Sequence, residues 1–295
     1  MKFGLTHGNI GRFVGPADAA TIAVAAEEAG FESLWTIEHV VLPTEYEPLY
    51  PETSDGRIPF VTDYPIADPL IWMAFAAAST TRIKLGTGVL ILPLRNALVT
   101  AKAVATLDRL SGGRTILGVG AGWLREEFHA LGFDFEDRGR RMNDTITAMR
   151  ALWSGTPVSF ASDSTNFTGV VSSPAPNALS VPVHIGGFTV PAAIRAGRLG
   201  DGFFPGGYDR ERLDLLIKRC RAEAVAGDRD PDAIEITTRW TKDPNRLADL
   251  DILYRLEDLG VNRVTIPAYI FDQNHITDEL ARFKEAVIDR FQVSR

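Results

Sequence analysis

RIKLGTGVLILPLRNALVTAKAVATLDRLSGGRTILGVGAGWLREEF, residues 82–128, contains one complete strand–helix–strand unit. Ile83–Leu90 is a short, continuously apolar run, as expected of a strand buried on both faces. Ala97–Leu110 carries the spacing of a helix, the SGG turn stops it, and Thr115–Val119 is the next apolar strand. Two parallel strands joined by a crossover helix are the unit from which α/β folds are built.

The same alternation extends in both directions. Upstream lie strand Lys2–Thr6, helix Pro16–Ala29 closed by Gly30, strand Ser33–Ile37, and helix Leu70–Ser79, with Asp68 as its cap and Pro69 at the first helical position. Downstream, Leu124–Ala130 and Arg138–Trp153 read as helices. They are followed by strand Pro182–Ile185, helix Val190–Arg198, strand Gly202–Phe204 and helix Arg210–Gly227. Strand Ala233–Thr238, helix Leu247–Leu259, strand Arg263–Pro267 and helix Asp278–Phe291 complete the chain. Eight βα units are the number that closes a (β/α)8 TIM barrel, with an open doubly wound sheet as the competing arrangement. Residues 1–295 are expected to form one such domain. Two stretches interrupt it: Pro43–Ala67, rich in Pro and aromatics and placed where a lid belongs, and Thr156–Val181, which reads as a hairpin excursion before the fifth strand.

Of the 295 residues, 45% are apolar, and the net charge of −7 is spread along the chain. That balance argues against nucleic acid or an anionic membrane as a main partner. The first residues lack the apolar run of a signal peptide and no stretch is long enough to span a bilayer, so a cytoplasmic location is expected. Cys220 is the single cysteine, which excludes an internal disulfide; it lies in a helical run and reads as a packed or surface thiol.

In such a barrel, chemistry gathers where strands end. His7 and Asn9 follow the first strand, Glu38 and His39 the second, and Gly88, Val89 and Arg95 belong to the third. Gly118, Gly120, Gly122 and Trp123 follow the fourth, Gly186, Gly187, Phe188 and Thr189 the fifth, Gly206 and Gly207 the sixth, and Arg239 and Trp240 the seventh. Glycine is costly there unless backbone must approach something closely. Gly186–Thr189, between a strand and a helix start, suits a phosphate cradle, and a plain tight turn is the alternative. His39 is the candidate for proton chemistry, with Glu38 adding negative charge at the same rim. His7 has a similar position; His129 and His184 read as structural and His275 as solvated. Trp123 suits stacking on an apolar or planar substrate, or packing.

Other chemistries lack their residues. There is no HExxH, CxxC or GxSxG, and no HxH after the first strand; no metal site is expected. Lys84 stands at the start of a strand, the wrong end for a Schiff-base lysine.

Residues 82–128, with FESLWTIEHV (31–40), FEDRGRRMNDTITAMRALWSG (135–155) and PVHIGGFTVPAAIRAGRLGDGFFPGG (182–207), resemble the luciferase-like monooxygenase superfamily. Within it, the chain is most similar to F420-dependent oxidoreductases. The resemblance implies a (β/α)8 barrel with a deazaflavin or flavin ring over the strand ends, and a non-prolyl cis peptide that would fall at Gly88–Val89. It further implies Glu38 near the ring, His39 near the transferred hydride, Gly120 and Ala121 bordering the ring or its chain, and Gly186, Gly187, Phe188 and Thr189 at the phosphate. Gly206 joins these on the next loop, with His7 and Trp123 toward the substrate. Relatives that oxidise sugar phosphates carry an acidic residue where this chain has Trp123, and a tryptophan where it has Pro43.

The activity implied is hydride transfer between C5 of coenzyme F420 and a small organic substrate. The alternatives are an FMN-dependent monooxygenase supplied by a partner reductase, and a non-catalytic flavin-binding barrel. A homodimer is expected by analogy.

Overall fold

Eight buried apolar runs pair in parallel as the staves of a closed barrel. The computed structural model describes residues 1–50, 53, 55–207, 209–240, 243 and 246–293. Among these, the staves are β1 (Lys2–Thr6), β2 (Ser33–Thr36), β3 (Lys84–Thr87) continued by β4 (Leu90–Ile91), and β5 (Thr115–Gly120). After the hairpin strands β6 (Val158–Ala161) and β7 (Asn166–Val170) come β8 (Val183–Gly186), β9 (Gly202–Phe204), β10 (Glu235–Arg239) and β11 (Arg263–Pro267). Neighbours pair in the order β1, β2, β3, β5, β8, β9, β10, β11, and β11 returns to β1 with Lys2 opposite Arg263. The closed ring excludes the open doubly wound sheet.

The helices wrap this ring. They are α1 (Pro16–Glu28), α2 (Pro69–Ser79), α3 (Ala97–Ser111), α4 (Arg125–Ala130), α5 (Arg138–Leu152), α6 (Val190–Leu199), α7 (Arg210–Ala226), α8 (Leu250–Asp258), α9 (Ile276–Phe283) and α10 (Asp289–Val293). Asp68 caps α2 as its sequence predicts, accepting from Leu70 and Ile71 N–H. The final helix starts two residues earlier than expected and contains a π-helical turn over Lys284–Ile288. The excursion before the fifth stave is an antiparallel hairpin, β6 on β7. Among the described residues, no helix is long and apolar enough to cross a membrane.

Trp35 fills the barrel interior. It is fully buried, its Nε1 donates to Ser33 Oγ at 2.8 Å, and Phe204 packs edge-on at 5.2 Å. A Cβ on Gly86 would overlap the Trp35 ring, which is why the third stave carries glycine rather than a β-branched residue at its third position.

The third stave breaks in two where one strand is expected. Gly88–Val89 is a cis peptide, as the resemblance implies, and it lies between β3 and β4. Gly88 N–H donates to Thr36 O at 2.7 Å, and pairing with β5 resumes at Leu90 opposite Val119.

Asp108 and Arg114, which flank the SGG turn, do not pair across it. Arg114 donates to the carbonyls of Ala77, Thr80, Ile83 and Ser111, while Asp108 accepts from Asn177. Cys220 is buried in α7, and burial pushes its thiol up to about 12, which suits a packing residue rather than a nucleophile.

Candidate functional site

The carboxyl ends of the staves bring His7, His39, Gly88, Val89, Gly120, Ala121, Gly186 and Gly206 to one mouth. His39 follows β2 and is nearly buried, with its side chain 9% exposed. Its Nδ1 meets Glu127 Oε2 at 3.0 Å. Glu127 lies in the first turn of α4, is fully closed from solvent, and accepts Val40 N–H at 2.6 Å and Val41 N–H at 3.3 Å on its other oxygen. Sequence reasoning missed this residue. Two glutamates at a helix start are ordinary partners for the helix dipole, and nothing local marks one of them as a histidine ligand.

Glu38, expected near the ring, is held by the third stave and its loop. Its side chain is 1% exposed, accepting from Ile91 N–H and, through both Nε and Nη2, from Arg95. Arg95 also reaches Asp68 at 2.8 Å, so one guanidinium ties the second stave to the cap of α2. Burial raises the Glu38 carboxyl against the pull of Arg95. Two neighbours in sequence thus have different partners, and the carboxylate that touches His39 is Glu127.

Val89 explains two glycines. A Cβ on Gly120 would lie 2.5 Å from Val89 Cγ2, and one on Gly186 would overlap Val89 Cγ1. Glycine at both positions seats the bulge, whose Gly88 and Val89 are half-buried at the mouth beside Ala121 and Gly122. The result is an apolar ledge.

Gly187, Phe188 and Thr189 form the exposed to half-exposed start of α6. Thr189 caps the helix by accepting from Ala192 N–H at 3.3 Å, and Phe188 packs on Gly207 of the next loop. Among the described residues, Arg138 and Arg141 at the start of α5 and Arg195 within α6 bond carbonyls or Asn143 and no carboxylate: Arg138 to Phe135 O, Arg141 to Pro93 O, Arg195 to Gly139 O and Asn143 Oδ1. A helix-start ion pair in this run is made by Arg140, with Asp137 and Asp163. Helix N-termini and arginines without carboxylates make this rim receptive to an anion.

His7 has a positive φ of 64°, and its Nδ1 is buried without a partner among the described residues. Burial and the charge of Arg239 lower it to about 3, so the imidazole is neutral. Tyr269 packs edge-on to it at 5.0 Å.

Trp123 lies just before α4 and is the hub of the lid. His39 meets it edge-on at 6.1 Å, and Tyr46 and Tyr50 pack on it at 5.9 and 5.2 Å. Arg57 sits over Tyr46, and Glu126 accepts Glu47 N–H at 2.8 Å. At the other end of the insertion, buried Asn9 donates to both Ile37 O and Ala67 O. Of the 43–67 stretch, residues 51, 52 and 54 lie outside the described residues. His184 is buried at the opposite end of the barrel, His129 is exposed, and exposed His275 bonds Asp272.

An uncharacterized protein of Mycobacterium tuberculosis is 33% identical to this chain over 248 residues, 83% of each. An F420-dependent glucose-6-phosphate dehydrogenase of Amycolatopsis mediterranei is 36% identical over 229 residues, covering 76% of this chain and 64% of that one. Among solved structures, the FMN-bound oxygenating constituent of 3,6-diketocamphane monooxygenase from Pseudomonas putida superposes with a TM-score of 0.73 at 15% identity, over 98% of both chains. The family model of luciferase-like monooxygenases matches residues 4–241, and the chain belongs to that family.

Proposed function

We propose that this protein is an F420-dependent oxidoreductase that transfers a hydride to or from a small organic substrate at the barrel mouth. The observation that carries the reading is the pairing of an apolar ledge with an anion-receptive rim. Gly88 and Val89 offer a flat apolar seat, while the start of α6, with Arg138, Arg141 and Arg195 nearby in the helix layer, offers positive charge. A flat heteroaromatic ring with a phosphorylated tail needs both. The F420-dependent relative at 36% identity supports the deazaflavin over FMN.

When bound, F420 supplies a hydride donor or acceptor at C5. The chain's own residues do the rest. Gly88 and Val89 back the ring, Ala121 borders it, and Gly187, Phe188 and Thr189 hold the phosphate, with Gly206 on the adjoining loop. His39 takes or returns the substrate proton. Trp123, Tyr46 and Tyr50 close the mouth against water, and His7 offers a neutral ring nitrogen to the substrate.

Residues 1–295 act as one unit in this reading, in the cytoplasm, and without nucleic acid or membrane as partner. Two copies pair through the outer face of α2, where Ile71, Phe75 and Ala78 form an exposed stripe without charge. Sedimentation at micromolar concentration tests the pairing, and a monomer there removes it.

The functional test is parallel titration of the purified protein with F420 and with FMN, followed by fluorescence. Saturable F420 binding with little FMN binding is expected. Binding of FMN alone makes the protein a flavin monooxygenase served by a reductase. Binding of neither makes it an idle barrel.

A further inference from the structure

Glu127 has a carboxylate closed to solvent and three donors on it. Val40 and Val41 N–H occupy Oε1 at 2.6 and 3.3 Å, and His39 Nδ1 faces Oε2 at 3.0 Å. A carboxylate only accepts, so this contact requires the proton of a neutral imidazole to sit on Nδ1. Among the described residues, no protein group bonds Nε2 of His39. We propose that Glu127 is a positioning residue that holds His39 as the Nδ1–H tautomer, reserving Nε2 as the nitrogen that accepts and returns a proton. This rests on the role proposed for His39.

The backbone contacts make the proposal unusually testable. In Glu127→Gln, the side chain keeps its shape, but only one of its two ends can accept. Val40 and Val41 N–H need an acceptor, so they retain the amide oxygen, and leaving them unpaired would cost a buried donor its partner. The amide NH2 then points at His39 Nδ1, which must become the acceptor. The tautomer therefore inverts and the proton moves to Nε2. Glu127→Asp keeps a carboxylate and no donor, so it preserves the original tautomer even where the shorter chain loosens the contact.

A merely structural glutamate, one that clamps the root of the 43–67 insertion through Val40 and Val41, behaves differently. Glutamine would serve that purpose as well as glutamate and leave the ring unchanged. Glu126, its neighbour, already has such a clamping contact with Glu47 N–H.

The experiment is a long-range 15N–1H correlation spectrum of protein labelled at its histidine ring nitrogens, with His39 assigned by the signal lost in His39→Asn. The expected result is Nδ1–H in the wild type and in Glu127→Asp, and Nε2–H in Glu127→Gln. Circular dichroism melts establish that each variant is folded, and if Glu127→Gln is not, Glu127→Asp still decides the matter by its tautomer. Nε2–H in the wild type or in Glu127→Asp, or an unchanged tautomer in a folded Glu127→Gln, overturns the proposal. The spectrum requires neither cofactor nor substrate, so its result is separate from that of the F420 titration. Once a substrate is in hand, Glu127→Gln is expected to lower kcat by about 10²–10⁴ with a smaller change in KM, as for other histidines held in the wrong tautomer. Glu127→Asp is expected to recover part of that rate.

Discussion

The two ends of the barrel treat buried charge in opposite ways. At the floor, where the staves begin, Arg263 is fully buried and spends its guanidinium on Glu32, Glu235 and Thr237, while stacking over Trp35. Lys84 adds a contact to Glu32, and Lys2 to Glu235. At the mouth, among the described residues, His39 commits one nitrogen to Glu127 and leaves the other, His7 Nδ1 has no partner, and Arg138 and Arg141 at the start of α5 bond neutral oxygens. Saturated networks fix a fold; unsaturated ones are where a ligand finds partners. The floor is built for stability and the mouth for chemistry.

Substitutions break this contrast most sharply when they separate activity from stability. His39→Asn is expected to lower turnover by about 10²–10⁴ while shifting the urea midpoint little; a comparable loss of stability would make His39 a floor-like residue. Arg263→Met is the converse. It leaves Glu32 and Glu235 without their buried partner and should cost about 3–5 kcal/mol in urea unfolding, with F420 affinity of the folded protein retained.

Acid sharpens the same contrast. His184, buried at the floor, is lowered from 6.5 to about 4 by burial and by Arg263, and His7 is lowered to about 3. As pH falls below 6.5, the unfolded chain takes up these protons before the folded one does. Stability is therefore full above pH 6.5 and declines by about 1.4 kcal/mol per pH unit for each histidine as pH falls toward 4. His184→Gln should remove its share of that slope in melts taken across the window. Burial alone would raise Glu32, but Arg263, Ser33 and Lys84 hold it at about 2, so its stabilisation is lost lower, as pH falls from 4.5 toward 2. The smallest effect is expected for Asp68→Ala, about 1 kcal/mol from loss of the α2 cap, read as a lower melting temperature.

Much of the barrel was legible because its signals are local. Asp68 before Pro69, the SGG stop after α3 and the short, largely apolar staves each announce their element within a few residues. The site was legible only in outline. Strand ends and a lone histidine point to His39, but its carboxylate partner lies 88 residues away in sequence. The adjacent Glu38, read as negative charge at the same rim, is neutralised by Arg95, 57 residues on. The glycines of GVG and IGG announced a close approach without saying to what; at Gly120 and Gly186 the approaching group is Val89 from another stave. Such partners are created by closing the barrel, and no periodicity encodes them.

Hydrogen–deuterium exchange with and without F420 compares the two ends in one experiment. Protection concentrated at residues 38–41, 88–91, 120–124 and 187–190, with the floor segments around Glu32, Glu235 and Arg263 unchanged, is the result predicted. Protection at the floor or along the outer helices, with the mouth unchanged, would contradict the assignment of the mouth as the working site.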